Sequence, residues 1–284
     1  MKSIVVYITL ISLSLVFCLG CDYVKNVKDP KAPEIESSRK VLIEDYTGHK
    51  CGNCPAAAIA LKFLVNKYPS NVVPLAIHAG FFATVNSTYT TNLQTTEGNA
   101  YDSQFGNSAA GNPNGLINRV GFGTGGFIKS HTSWESELVK LLLTQAKFEI
   151  KIKNSFSLTS SKLNTSITVK SLTNNSGKYK LVVLLSEDSI IAEQLDYNLP
   201  SGSQFITNYQ FNHVLRGAVN STWGDAIFPV GAVSNDSIVK SYTNFSLNPL
   251  YNPAKCHVIA YVYDADPLSP TYYEILQVEE AKVK

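Results

Sequence analysis

The sequence predicts an α/β domain followed by an all-β domain, and three observations carry that reading. Residues 41–46 and 72–78 are near-continuous apolar runs on either side of an amphipathic stretch from Pro55 to Tyr68. A Cys51-Gly52-Asn53-Cys54 motif stands where the first run meets that stretch. From Phe148 onward the hydrophobic period changes to two.

The elements follow in order. After Met1-Lys2 the chain is apolar from Ile4 to Leu19, broken only by Thr9, Ser12 and Ser14, the layout of a secretory signal over residues 1–20. Gly20-Cys21 closes that run and resembles the lipobox of bacterial lipoproteins, with Cys18 and Leu19 where Leu and a small residue are usual. The resemblance implies cleavage before Cys21 and a lipid anchor on it. Residues 21–37 are polar, charged and proline-bearing, as expected of a tether. An α/β domain is expected over residues 38–147. Its first strand, Val41-Leu42-Ile43-Glu44-Asp45-Tyr46, reads as buried on both faces. The helix that follows carries Ala57, Leu61, Leu64, Val65 and Tyr68 on one face and opens with Pro55, whose missing N–H costs nothing there. Strand, helix and strand with short connections make a βαβ unit. A short helix is expected near residues 97–105 and a strand over 115–119. A further helix carries Trp134, Leu138, Leu141 and Leu142 on one face, opened by the capping-box spacing of Thr132 and Glu135. Beyond it, residues 148–284 hold short alternating runs separated by Asn, Ser, Gly and Pro, as in an antiparallel sandwich.

Composition narrows the function. Removing 20 of 284 residues leaves 264, enough for two ordinary domains. The formal charge is +2, and loss of Lys2 with the signal leaves +1, so nothing electrostatic favours nucleic acid. With 44% hydrophobic and 16% charged residues the chain is globular. Of five cysteines, Cys18 leaves with the signal and Cys21 takes lipid, which leaves Cys51, Cys54 and Cys256. Cys256 lies in an apolar strand pattern, where a buried inert thiol is expected.

Cys51 and Cys54 carry the chemistry. At a strand-to-helix join, unpaired N–H groups and the helix dipole stabilise a thiolate on Cys51, and Lys50 acts in the same direction. Two intervening residues put Cys54 close enough for a disulfide, which an exported protein can keep. That placement predicts a thioredoxin-like arrangement. Asp45 lies six residues before Cys51, where the resemblance to thioredoxins implies a buried acid that handles the proton of Cys54, although Glu44 is an equal candidate for the inward acid. Gly111-Asn112-Pro113 precedes the strand from Gly115, where the same resemblance implies a cis-proline loop facing the cysteines, and proline is the residue for which a cis bond is cheap. In this scheme Cys51 attacks a disulfide of an exported protein, Cys54 resolves the adduct, and Pro113 aligns the substrate. His49 either tunes Cys51 or is solvated, His78 reads as structural, and His213 beside Arg216 reads as a hydrogen-bonder. No cofactor or metal is expected: Cys256 and His257 are adjacent on a strand and point to opposite faces, so they cannot readily join Cys51 and Cys54 around one ion. The glycine-rich stretch 121–126 lacks the Lys-Ser/Thr of a phosphate loop and reads as a flexible turn.

The stretch from Val41 to Ala58 around the two cysteines is similar to the outer membrane protein 28-related family of lipoproteins. So are Ala76-Ile77-His78-Ala79-Gly80, the segment from Gly111 to Arg119, Leu185-Ser186-Glu187-Asp188-Ser189-Ile190 and Asn212-His213-Val214-Leu215-Arg216. The resemblance implies a thioredoxin-like domain followed by an immunoglobulin-like one, on a lipoprotein of the outer membrane. Its partners would be thiols or disulfides of exported proteins, and the membrane through Cys21.

Overall fold

The computed structural model describes residues 38–284. The expected signal peptide, Cys21 and the tether lie outside the described residues.

The first half contains the expected local elements. Strand β1 (Val41–Thr47) is buried throughout. Helix α1 (Cys54–Lys67) follows, with Pro55 in its first turn and Ala57, Leu61 and Leu64 buried. Strand β2 (Val72–His78) returns parallel to β1, pairing Asp45 with Ala76 and Thr47 with His78. Helix α2 (Thr96–Phe105) is capped by Thr95, whose hydroxyl accepts the Gly98 N–H at 2.9 Å, and it ends at Gly106 with φ of 77°. After the single turn α3 (Asn107–Ala110), strand β3 (Asn114–Ile117) pairs antiparallel with β1. Helix α4 (Trp134–Leu142) buries Trp134, Leu138 and Leu142. Its expected capping box is not formed: residues 131–133 make a 3-10 turn, so the helix starts beyond Thr132, and the Ser133 hydroxyl at its cap donates back to the Ser130 carbonyl at 2.9 Å and caps no helical N–H.

The rest of the described chain is strand: β4 (Phe148–Ser157), β5 (Lys162–Ser171), β6 (Tyr179–Glu187), β7 (Ile190–Leu195), β8 (Phe205–Phe211), β9 (Val214–Ala218), β10 (Asp225–Ala226), β11 (Ser237–Ser246), β12 (Cys256–Asp264) and β13 (Ile275–Lys282). Eight strands form one sheet in the order β13-β12-β6-β9-β2-β1-β3, with β10 also on β6. A three-stranded sheet runs β11-β5-β4, and a two-stranded sheet pairs β7 with β8.

This corrects the expected fold class, an α/β thioredoxin-like domain plus an all-β immunoglobulin-like sandwich. The described residues are mostly β, 40% strand against 17% helix, and their two halves share a sheet. The reason is the edge of β2. A parallel pair exposes an unpaired edge, and here β9 covers it, with the Ala76 N–H donating to the His213 carbonyl at 2.8 Å. The core follows the same plan. Leu42, Tyr46, Leu75 and Ile77 pack with Val182, Leu184, Ile259 and Tyr261 from the second half. Leu181, Val183, Leu185, Val258, Ala260 and Val262 point to the other face, where Phe148, Ile150, Leu163 and Val169 cover them. Alternation therefore buries β6 and β12 on both faces, so these two strands are near-continuous apolar runs and not the half-buried alternating ones expected from the sequence.

Candidate functional site

Glu44 and Asp45 are both inward, on opposite faces of β1. Glu44 meets Arg119 in a bidentate pair, with Nε and Nη2 donating at 2.8 and 2.6 Å and both side chains fully buried. The guanidinium is also 4.7 Å from the Phe105 ring centre and 4.9 Å from that of Tyr101. This is a core feature. Asp45 faces the other way, towards α1, and its Oδ1 has no hydrogen-bond partner among the described residues. Burial pushes its carboxyl up to about 7.

Cys51 and Cys54 form a disulfide, with Cα atoms 5.4 Å apart. Cys54 is the first residue of α1, whose opening turn has neither a side-chain cap nor an acidic residue, so its N–H groups still favour an anion nearby. Both cysteines are buried, at 3% and 2% exposure. The cover comes from the end of β7. Gln194 Nε2 donates to the Cys51 carbonyl at 3.1 Å, the Leu195 N–H to His49 O at 2.9 Å, and the Tyr197 N–H to Gly52 O at 2.8 Å. The Tyr197 ring packs over Gly52, where an added Cβ would lie 2.5 Å from it and force the ring to move. His49 is not solvated: it is fully buried, stacked on Tyr89 at 5.1 Å, and its pKa is lowered first by burial.

A cleft of about 710 Å3 opens beside the disulfide, between α1 and β8. The register gives Asp45, Thr47, Ala76 and His78 one face of the sheet, and all four line it. Cys54, Pro55 and Ala58 form one wall, and Tyr209, Phe211 and His213 the other. Cys54 is a lining residue and Cys51 is not. His78 is 2% exposed, has neither ring nitrogen paired among the described residues, and is pushed down to about 3 by burial, then by His49 and Arg216. It is a neutral imidazole with one donor and one acceptor free.

The remaining candidates are spread out. The Asn112–Pro113 bond is cis. Asn114 pairs with Tyr46, so Pro113 stands at the C-terminal end of β1, the end from which the Cys51 loop departs. It lines a second hollow with Gly111, Thr124 and Phe127, outside the cleft. His213, at the foot of β8, has its Nδ1 3.2 Å from Asp188, which also lies 3.4 Å from His257. Cys256 is a free buried thiol pushed up to about 12, first by burial and then by Glu187. Among the described residues no group of three or more His, Cys, Asp and Glu could hold a metal, and no helix is long and apolar enough to cross a membrane. Sequence reasoning took His78 as structural and did not single out Gln194 or Tyr209. The one available signal was that His78 ends an otherwise apolar strand.

HBP35 of Porphyromonas gingivalis has a similar structure, with a TM-score of 0.60 and 14% identity over 87% of this chain and 76% of that one, a likeness of fold. A structural-genomics protein from Agrobacterium tumefaciens aligns over 88% of this chain and 96% of its own at 15% identity, with a TM-score of 0.49. No curated protein matches the sequence. Residues 98–284 match the profile of outer membrane protein Omp28, a range that begins after the two cysteines. That match spans well over half of the sequence, so the chain belongs to the Omp28 family, whose name points to an association with the outer membrane.

Proposed function

We propose that this protein is an exported, lipid-anchored thiol–disulfide exchange protein acting on cysteines of other exported proteins. The observation that carries the reading is the Cys51–Cys54 disulfide at the start of α1, with the buried and unpartnered Asp45 carboxyl on the same cleft as Cys54. A carboxyl held near 7 can take and return a proton at the pH of the cell envelope. Pro113 belongs to the proposal as the residue that would align an incoming backbone. The mature chain, oxidised, should convert a reduced two-cysteine peptide to its disulfide mole for mole, and the Cys51→Ser, Cys54→Ser double variant should not. Equal peptide oxidation by both proteins would remove the reading.

The anchor is part of the same proposal and rests on Gly20-Cys21 at the end of the apolar run. Cys21→Ala should abolish fatty-acid labelling and release the protein from the membrane fraction. Membrane association of the unaltered chain without any attached lipid would contradict it.

A second reading has an observation in its favour. Exposures of 3% and 2% are those of a structural disulfide, which suits a binding or structural surface protein. The two readings differ in how readily the disulfide is reduced.

A further inference from the structure

The proposed exchange needs a route to the disulfide, and the loop in front of Cys51 is closed by Gln194, Leu195 and Tyr197. The cleft is the opening beside it, and Cys54 is the member of the pair that lines it. We infer that a substrate thiol enters between α1 and β8 and attacks Cys54, so that Cys54 is the sulfur that carries the mixed disulfide and Cys51 is the leaving group. This rests on the exchange reading above and assigns the roles opposite to those expected from the sequence.

The chemistry balances with the groups present. The incoming cysteine gives its proton to the Asp45 carboxylate, whose Oδ1 is unpartnered on the cleft floor. The thiolate forms a bond to Cys54 Sγ. The Cys51–Cys54 bond breaks, and its electron pair leaves on Cys51 Sγ, in the loop that precedes α1. A second thiol of the substrate then gives its proton to the Cys51 thiolate and attacks the substrate sulfur of the mixed disulfide. Cys54 departs with the electron pair and recovers the proton from Asp45. The substrate dithiol is oxidised and the Cys51–Cys54 disulfide is reduced, with no further reactant. His78 acts as a positioning residue, because its two free ring nitrogens can pair with a main-chain N–H and C=O of the entering peptide. The ligand class is therefore an extended peptide with a reduced cysteine, its side chain directed at the floor.

The test uses the oxidised mature chain and reduced glutathione, with rapid acid quenching and peptide mass mapping. Glutathione should be found on Cys54, with Cys51 as the free thiol. Ala58→Trp, which fills the cleft wall away from the disulfide, should slow adduct formation at least tenfold. Circular dichroism confirms that this variant is folded, and Lys62→Trp at the same wall serves if it is not. Glutathione on Cys51, formed at an unchanged rate in the filled variant, overturns the route while exchange itself stands. No adduct on either cysteine with the disulfide intact overturns both.

Discussion

Arg119→Ala should remove about 3–5 kcal/mol of stability, because it leaves the Glu44 carboxylate charged and unpaired in the core. Both side chains are fully buried and the contact is bidentate, so the carboxylate loses both charge-assisted bonds at once. Glu44 is on β1 and Arg119 lies just beyond β3, and Tyr261 on β12 accepts from the same guanidinium at 3.1 Å. The pair thus ties the first half of the sheet to the second. Replacing both partners, Glu44→Leu with Arg119→Met, should recover most of the loss, since well-packed apolar residues often substitute for a buried ion pair at little cost. Urea unfolding measures both. A single variant within about 1 kcal/mol of the unaltered chain would show that the pair contributes little.

Asp45→Asn should stabilise the protein at pH 8 and change little at pH 4. The folded carboxyl titrates near 7, against about 3.9 in an unfolded chain. Between those values the folded chain holds a proton that the unfolded chain has lost, so stability falls as pH rises through the window. Above about 7 the loss is complete. One pKa unit corresponds to about 1.4 kcal/mol, so an ionised Asp45 costs the fold about 4 kcal/mol at pH 8. The asparagine should regain most of that and should also lose exchange, since it cannot accept a proton. Stability that rises with pH between 4 and 7 in the unaltered chain, or an asparagine variant no more stable at pH 8, would contradict the assignment.

What the sequence revealed was local. The first strand, the first helix and the second strand are within a residue or two of their expected bounds, because apolar runs, Pro55 and a helical stripe are short-range signals. The Cys51–Cys54 disulfide follows from the same spacing. The choice between Glu44 and Asp45 was a false one, since alternation on a strand buried on both faces turns both acids inward. The sheet as a whole was not legible. The strand that covers the edge of β2 begins at Val214, and nothing near Ala76 in the chain announces it. The cleft was hidden for the same reason: one wall is a helix after Cys51 and the other is Tyr209 to His213. His78 looked structural because its environment is made by that distant wall. Gln194 and Tyr197 gave no signal, as they cover the Cys51 loop through backbone and amide bonds that many residue types could make.

The central claim is that Cys51 and Cys54 form an exchanging couple despite their burial, and the reduction potential of the mature chain tests it most directly. Equilibration with glutathione buffers at pH 7, read by alkylation of the freed thiols, gives the value. An exchanging couple should equilibrate within hours and fall between about −270 and −120 mV, the span of working CxxC couples. A disulfide that stays intact in these buffers, with a potential below about −300 mV, is a structural staple and would contradict the account.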